Sequence, residues 1–188
     1  MIITIARECG SGGHVIANEL ASRFNFKVYD KEKLINKAHE VGMYDELETF
    51  FAEEPIDSIL YSLVMGEPGR SLPEGILSRF RTLMDEDNFI LIGRCGNYIF
   101  RDEESRVRIF LHADLEDEVE RFSKNNNMSE DEARKLIPDI HEKRARYHKS
   151  YTNRAWGNAQ DYEICLNTSK VGIDKSVELI AEYISAIK

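Results

Sequence analysis

The chain opens on an apolar run, Ile2, Ile3 and Ile5, then breaks into Gly10, Gly12 and Gly13 around Ser11. Apolar positions resume at helical spacing with Val15, Ile16, Leu20 and Phe24. The pattern predicts a buried strand, a glycine turn and an amphipathic helix. Phe26–Tyr29 reads as a second short strand, and Asp30 as the N-cap of a helix over Lys31–Glu40 that Gly42 stops. Residues 44–86 begin acidic, carry Pro55, Pro68 and Pro73, and hold apolar patches such as Ile59–Val64. They predict helices joined by a Gly66–Pro73 connection.

Phe89-Ile90-Leu91-Ile92 is apolar at every position, as a strand buried on both faces is, and runs directly into Gly93-Arg94-Cys95-Gly96-Asn97. Arg108–Leu111 gives a fourth strand. Asp114 with Asp117, and then Ser129 with Glu132, open two further helices in the manner of capping boxes. Pro138 is expected to interrupt the second of these. Residues 141–154 are densely basic and aromatic, with Tyr147, His148 and Tyr151 among the cations. Tyr162–Leu166 reads as the fifth strand, Asn167–Gly172 as a turn, and Asp174–Ile187 as a closing amphipathic helix.

Alternating strands and helices with apolar strands imply an α/β fold, a parallel sheet covered on both faces. Ligands in such sheets sit beyond the carboxyl ends of the strands. The glycine loop, Asp30 with Lys31, and Gly93-Arg94 follow strands one, two and three, so topology brings them to one edge. The loop itself suits an anion, because a glycine turn and the first helical turn leave backbone N–H groups aimed at one point. The phosphate-loop pattern G-x-x-x-x-G-K-[ST] is not met. With Gly12 as its second glycine, Gly13 stands at the lysine and His14 at the hydroxyl.

Composition adds limits. The 188 residues suit one domain with a full core. The net charge of −9 argues against a nucleic-acid binder, while leaving room for a local basic pocket that takes a small phosphorylated substrate. No stretch reaches the ~18 apolar residues of a membrane span, and the strand at the N-terminus lacks a signal-peptide pattern, so the expected location is cytoplasmic. Cys9, Cys95 and Cys165 are odd in number and far apart, as reduced packing thiols are.

Arg7-Glu8-Cys9-Gly10-Ser11-Gly12-Gly13, Tyr29-Asp30-Lys31-Glu32 and Gly93-Arg94-Cys95 stand in this order along the chain. Together with the tail Tyr151-Thr152, Trp156-Gly157, Tyr162 and Asn167-Thr168-Ser169, they resemble the cytidylate kinase-like family, a divergent branch of the P-loop nucleoside monophosphate kinases. The resemblance implies a three-layer P-loop kinase fold on a five-stranded parallel sheet. It further implies a helical monophosphate-binding insert (44–86), a lid (about 138–160), and Mg²⁺-dependent transfer of the γ-phosphoryl of ATP to CMP, dCMP or a related acceptor. Arg94 falls where the family places an arginine for the monophosphate, and Arg144, Arg146 and Arg154 are counterparts of its lid arginines. The chain departs from that pattern at Cys95 (an aspartate there), Asn36 (an arginine) and His14 (commonly an arginine).

Phosphoryl transfer needs positioning and cations around developing charge. The amides of Ser11–Val15, within the loop Gly10-Ser11-Gly12-Gly13-His14-Val15, are expected to hold a phosphate of ATP. Arg7, Arg144, Arg146 and Arg154 are candidates to replace the missing lysine, and Arg94 stands with them as a catalytic candidate. Asp30, Lys31 and Arg94 are candidates for the acceptor, and Ser11 offers a hydroxyl to Mg²⁺. Two other readings stay open: a kinase of another small metabolite, and a nucleotide-binding sensor or partner module without turnover. Apolar residues between Ile59 and Val64, Leu60 among them, suggest a homodimer face.

Overall fold

The computed structural model describes residues 1–55 and 72–187. Five parallel strands form one sheet: β1 (Ile2–Arg7), β2 (Lys27–Tyr29), β3 (Phe89–Ile92), β4 (Arg106–His112) and β5 (Ile164–Asn167), in the order β2-β3-β1-β4-β5. Ile2 stands opposite Phe89 on one side and Arg106 on the other. Successive strand residues point to opposite faces, so one alternation fills two cores. Ile3, Ile5, Ile90, Ile92, Val107, Ile109 and Leu111 pack under α1 (Gly13–Phe24) and the C-terminal helix. On the opposite face Ile2, Phe89 and Leu91 meet α2 (Lys31–Glu40), α3 (Tyr44–Phe51), α4 (Leu72–Arg81) and the short α5 (Gly96–Ile99). Each of these side chains contributes about 1.5–3 kcal/mol on burial.

α6 (Leu115–Asn126) and α7 (Glu130–Thr152) pack against each other around Val119, Ala133 and Ile137, and Tyr147 and Tyr151 of α7 join the core with Phe50; a 3₁₀ turn (Ala159–Asp161), α8 (Thr168–Val171) and α9 (Ile173–Ala186) follow. The strands arrive in the expected order, with β4 longer than Arg108–Leu111 and β5 starting two residues after Tyr162.

Several expectations are corrected. Pro138 does not interrupt α7, which runs 23 residues through it. One backbone hydrogen bond is lost there, and burial of Ala133, Ile137, Tyr147 and Tyr151 along the same helix outweighs it. Val15 is not on the buried stripe of α1, which is Gly13, Ile16, Ala17, Leu20 and Ala21; Val15 is 54% exposed. Asp114 occupies the N-cap of α6 without a capping bond. Its carboxylate instead accepts from Asn167 Nδ2 at 2.9 Å and from Lys170 Nζ at 2.5 Å. Asn167–Gly172 is not a bare turn, since Asn167 caps α8 by accepting from the amides of Ser169 and Lys170. The Ile59–Val64 patch with Leu60, and most of the Gly66–Pro73 connection, lie outside the described residues.

Candidate active site

β1 and β3 are neighbours, and their carboxyl ends release two glycine turns at the same edge of the sheet. The first turn is held from behind. Gly10 has φ +72°, and a Cβ there would meet the Glu118 carbonyl oxygen of α6 at 2.5 Å. Gly12, at φ +81°, caps α1 and leaves no room for a side chain against Ile173. Arg121 of α6 donates to the Gly10 carbonyl at 3.3 Å and to Thr168 Oγ1 at 3.1 Å, which ties the loop to the Asn167-Thr168-Ser169 tail. None of the amides of Ser11–Val15 has a partner among the described residues. The glycine turn and the first turn of α1 thus leave a run of backbone N–H groups without partners among the described residues. Ser11 departs from expectation: it is fully buried, and its hydroxyl donates inward to the Glu8 carbonyl at 2.9 Å, so it presents no oxygen at the loop's mouth.

The second turn is left-handed for three residues, Gly93 (φ +73°), Arg94 (φ +52°) and Cys95 (φ +51°), closed by the Gly96 amide donating to the Gly93 carbonyl at 2.9 Å. Two non-glycine residues in this region carry strain, which the surrounding packing must hold. The turn sends Arg94 into the protein, where it is 4% exposed. Its Nη1 donates to the carbonyls of Phe50 and Phe51 at 3.1 and 3.0 Å, at the end of α3, and its Nη2 lies 3.1 Å from Glu53 Oε1. A cation at a helix C-terminus also complements the helix dipole. Arg94 thus anchors α3 to the sheet edge as well as lining the site.

Arg7 makes no pair with Glu8, whose carboxylate accepts from the Ala113 amide. Instead the Arg7 side chain lies across Gly13 and over Gly93, where a Cβ on either glycine would strike it. Arg144 of α7 donates to the Arg7 carbonyl at 3.1 Å, and its Nε is 3.9 Å from Glu53 Oε2. Arg7, Arg94, Arg144 and Glu53 line one small cavity together with Asn97, Tyr147, His148 and Trp156. Burial, with Arg144 and Arg94 nearby, brings the Arg7 guanidinium down to about 9. Lys31 is lowered as well, by burial and by Arg94. His14, beside Arg7 and Asp30, is depressed chiefly by burial, and Asp30 accepts from the Lys33 amide as an N-cap. An acidic protein thus concentrates four cations around one carboxylate.

The expected set does not converge in full. Arg146 is 62% exposed and pairs with Glu142 on the solvent side of α7. Arg154 pairs with Asp161, lies over the Tyr98 ring, and lines a separate cavity of about 230 Å³ with Arg101 and Arg108. Neither reaches the Arg7–Arg144 cavity.

Sequence reasoning missed Glu53, Asn97 and His148. The acidic start of 44–86 was the signal for Glu53. His148 sits in the basic, aromatic run, yet it is 3% exposed, and burial holds it neutral with a pKa brought down to about 4. Cys9 and Cys95 are buried thiols, pushed by burial up to about 11 and about 12, as packing residues are. Behind the loop, burial and the facing Glu8 raise Glu118 to about 8.

Comparison with known proteins agrees with this architecture. A cytidylate kinase of Saccharolobus islandicus is 23% identical over 193 residues, covering all of this chain and 92% of its own. A solved structure of an uncharacterized protein from Eubacterium ventriosum superposes with a TM-score of 0.72 at 26% identity, covering 98% of both chains. Shikimate kinase from Acinetobacter baumannii, at 10% identity and a TM-score of 0.56 over 100% of this chain and 94% of its own, shares the P-loop kinase fold. The profile of the cytidylate kinase-like family matches residues 2–170, and the chain belongs to that family.

Proposed function

We propose that the chain is an ATP-dependent phosphotransferase acting on a nucleoside monophosphate, with CMP and dCMP the first acceptors to try. The observation that carries this reading is the meeting of Arg7, Arg94 and Arg144 beside the unpaired amides of Ser11–Val15. The amides would hold the phosphates of ATP, and the guanidiniums would take the acceptor phosphate and the charge that develops between the two. Lys31 adds a cation at the same edge. In this reading 44–86 forms the acceptor side, and the 138–160 region carries Arg144 to the transferred group.

Mg²⁺ fits as a companion of the nucleotide, because it keeps waters and phosphate oxygens as ligands and needs few protein groups. Among the described residues no group of three or more acidic, histidine or cysteine side chains is arranged for a metal. Bound there, the ion would neutralise phosphate charge.

The test is an ATP-consumption assay with Mg²⁺ against CMP, dCMP, UMP and AMP, run beside Arg144→Ala. Turnover with a pyrimidine monophosphate that collapses in the variant is the expected result. A second reading, nucleotide binding without turnover, is favoured by Gly13 at the lysine position and by the inward hydroxyl of Ser11. Calorimetric ATP binding with no consumption on any acceptor would select it; consumption on a non-nucleotide alone would select a kinase of another metabolite.

A further inference from the structure

Glu53 stands just past the end of α3, in left-handed backbone at φ +57°. That conformation closes α3 as a helix C-terminal turn, the Glu53 amide donating to the Phe50 carbonyl at 3.3 Å and the Glu54 amide to the Thr49 carbonyl at 3.2 Å. The side chain that leaves this turn meets cations: Arg94 Nη2 at 3.1 Å, Arg144 Nε at 3.9 Å, and Arg7 and Lys31 close enough to feel its charge. One carboxylate does not satisfy them. The Arg144 Nε is buried and without a hydrogen-bond partner among the described residues. With Glu53 in place the cavity has room for about 20 Å³, roughly one water and too little for a phosphate group. The carboxylate fills the space that the arginines enclose.

Resting on the phosphotransferase reading above, we propose that Glu53 is a built-in competitor for the acceptor's phosphate and thereby sets specificity for dianionic acceptors. Its carboxylate occupies the anion subsite of Arg94 and Arg144, and an acceptor binds only by displacing it. A phosphate dianion brings two charges and three oxygens where Glu53 brings one charge and two, so it can reach the unpartnered Arg144 Nε while replacing the lost ion pair. A neutral acceptor would leave buried guanidiniums unpaired and cannot make the exchange. Displacement also frees the end of α3, so acceptor binding is coupled to movement of the 44–55 segment.

The experiment is calorimetric titration of inorganic phosphate at pH 8 and constant ionic strength into the wild-type chain, Glu53→Gln and Glu53→Asp, with melting temperatures followed over the same phosphate range. Glu53→Gln is expected to bind phosphate at least tenfold more tightly than wild type and to show the larger phosphate-dependent rise in melting temperature. Glu53→Asp, which keeps the charge, should stay near wild type. If Glu53→Gln needs phosphate to fold, recovery on adding it supports the proposal, since the anion then replaces the carboxylate. A Glu53→Gln chain that binds phosphate no more tightly, or stays unfolded at every phosphate concentration, overturns it and makes Glu53 a structural brace. CMP turnover separates this from the parent reading. Tighter phosphate binding by the variant with no monophosphate consumed by wild type keeps the subsite and removes the nucleotide acceptor. CMP turnover with unchanged phosphate affinity does the reverse.

Discussion

At the scale of single residues, Arg144 and Arg146 make the clearest contrast. Two positions apart on a helix, they point about 200° away from each other, so only one can face the sheet edge. Arg144 does, and Arg146 pairs outward with Glu142. Steady-state assay with the accepted monophosphate should show Arg144→Ala slower by on the order of 10²–10³-fold, as for loss of one transition-state donor, with Arg146→Ala within about twofold of wild type. Arg94 belongs to a different class. Its bonds to the Phe50 and Phe51 carbonyls make Arg94→Ala a stability variant first, expected to lose about 3–5 kcal/mol in urea unfolding because Glu53 and the Phe51 carbonyl lose a partner. The spacing Gly93-Arg94 marked the residue, but nothing in the sequence says that its guanidinium turns under α3.

At the scale of elements, α7 shows where local rules hold and where they yield. Its start is a full capping box: Ser129 Oγ accepts from the Glu132 amide at 3.3 Å and Glu132 Oε2 accepts from the Ser129 amide at 3.0 Å. Ser129→Ala should cost about 1 kcal/mol by chemical denaturation. Pro138 breaks the local rule nine residues later, and tertiary burial keeps the helix continuous. Replacing it restores an amide donor without touching the core, so Pro138→Ala is expected to raise stability by about 1–3 kcal/mol in the same measurement. The strands were legible because each is a short apolar run beside a turn signal. Helix ends were legible where the cap is local, as at Asp30 and Ser129. Asp114 was misread because its carboxylate is claimed by Asn167 and Lys170, more than fifty positions away.

At the scale of the whole molecule, burial raises Glu118 and lowers His148, His14 and His141, so the carboxyl and the imidazoles act on stability with opposite sign. Glu118 is raised from about 4.5 unfolded to about 8 folded, by burial and then by Glu8. Its share of stability is full below about 4.5 and is lost as pH rises through 8. His148 is lowered from about 6.5 to about 4 by burial, so its share is present above 6.5 and is lost as pH falls through 4. Between pH 4.5 and 6.5 the slope from Glu118 opposes that from the lowered histidines, and from 6.5 to 8 the Glu118 slope remains. The melting temperature of wild type should therefore fall from pH 6.5 to 8, and that of Glu118→Gln should stay level. A parallel fall in both would remove Glu118 as the cause. The loop rests on the backbone of Glu118 at Gly10, so this titration lies directly behind the glycine loop.

The sequence by itself determined the order of strands and helices, the glycine turn after β1, the sheet edge where the loops after β1 and β3 meet, and the family, because each is written in local periodicity, turn chemistry or a short motif. Only the tertiary structure decided which cations meet there. It turned Ser11 inward, sent Arg146 and Arg154 elsewhere, joined Arg7 to Arg144, and brought Glu53, just past the end of α3, into the middle of the arginines. These are choices between faces of helices and between partners distant in sequence, made when the elements pack, and no local pattern carries them.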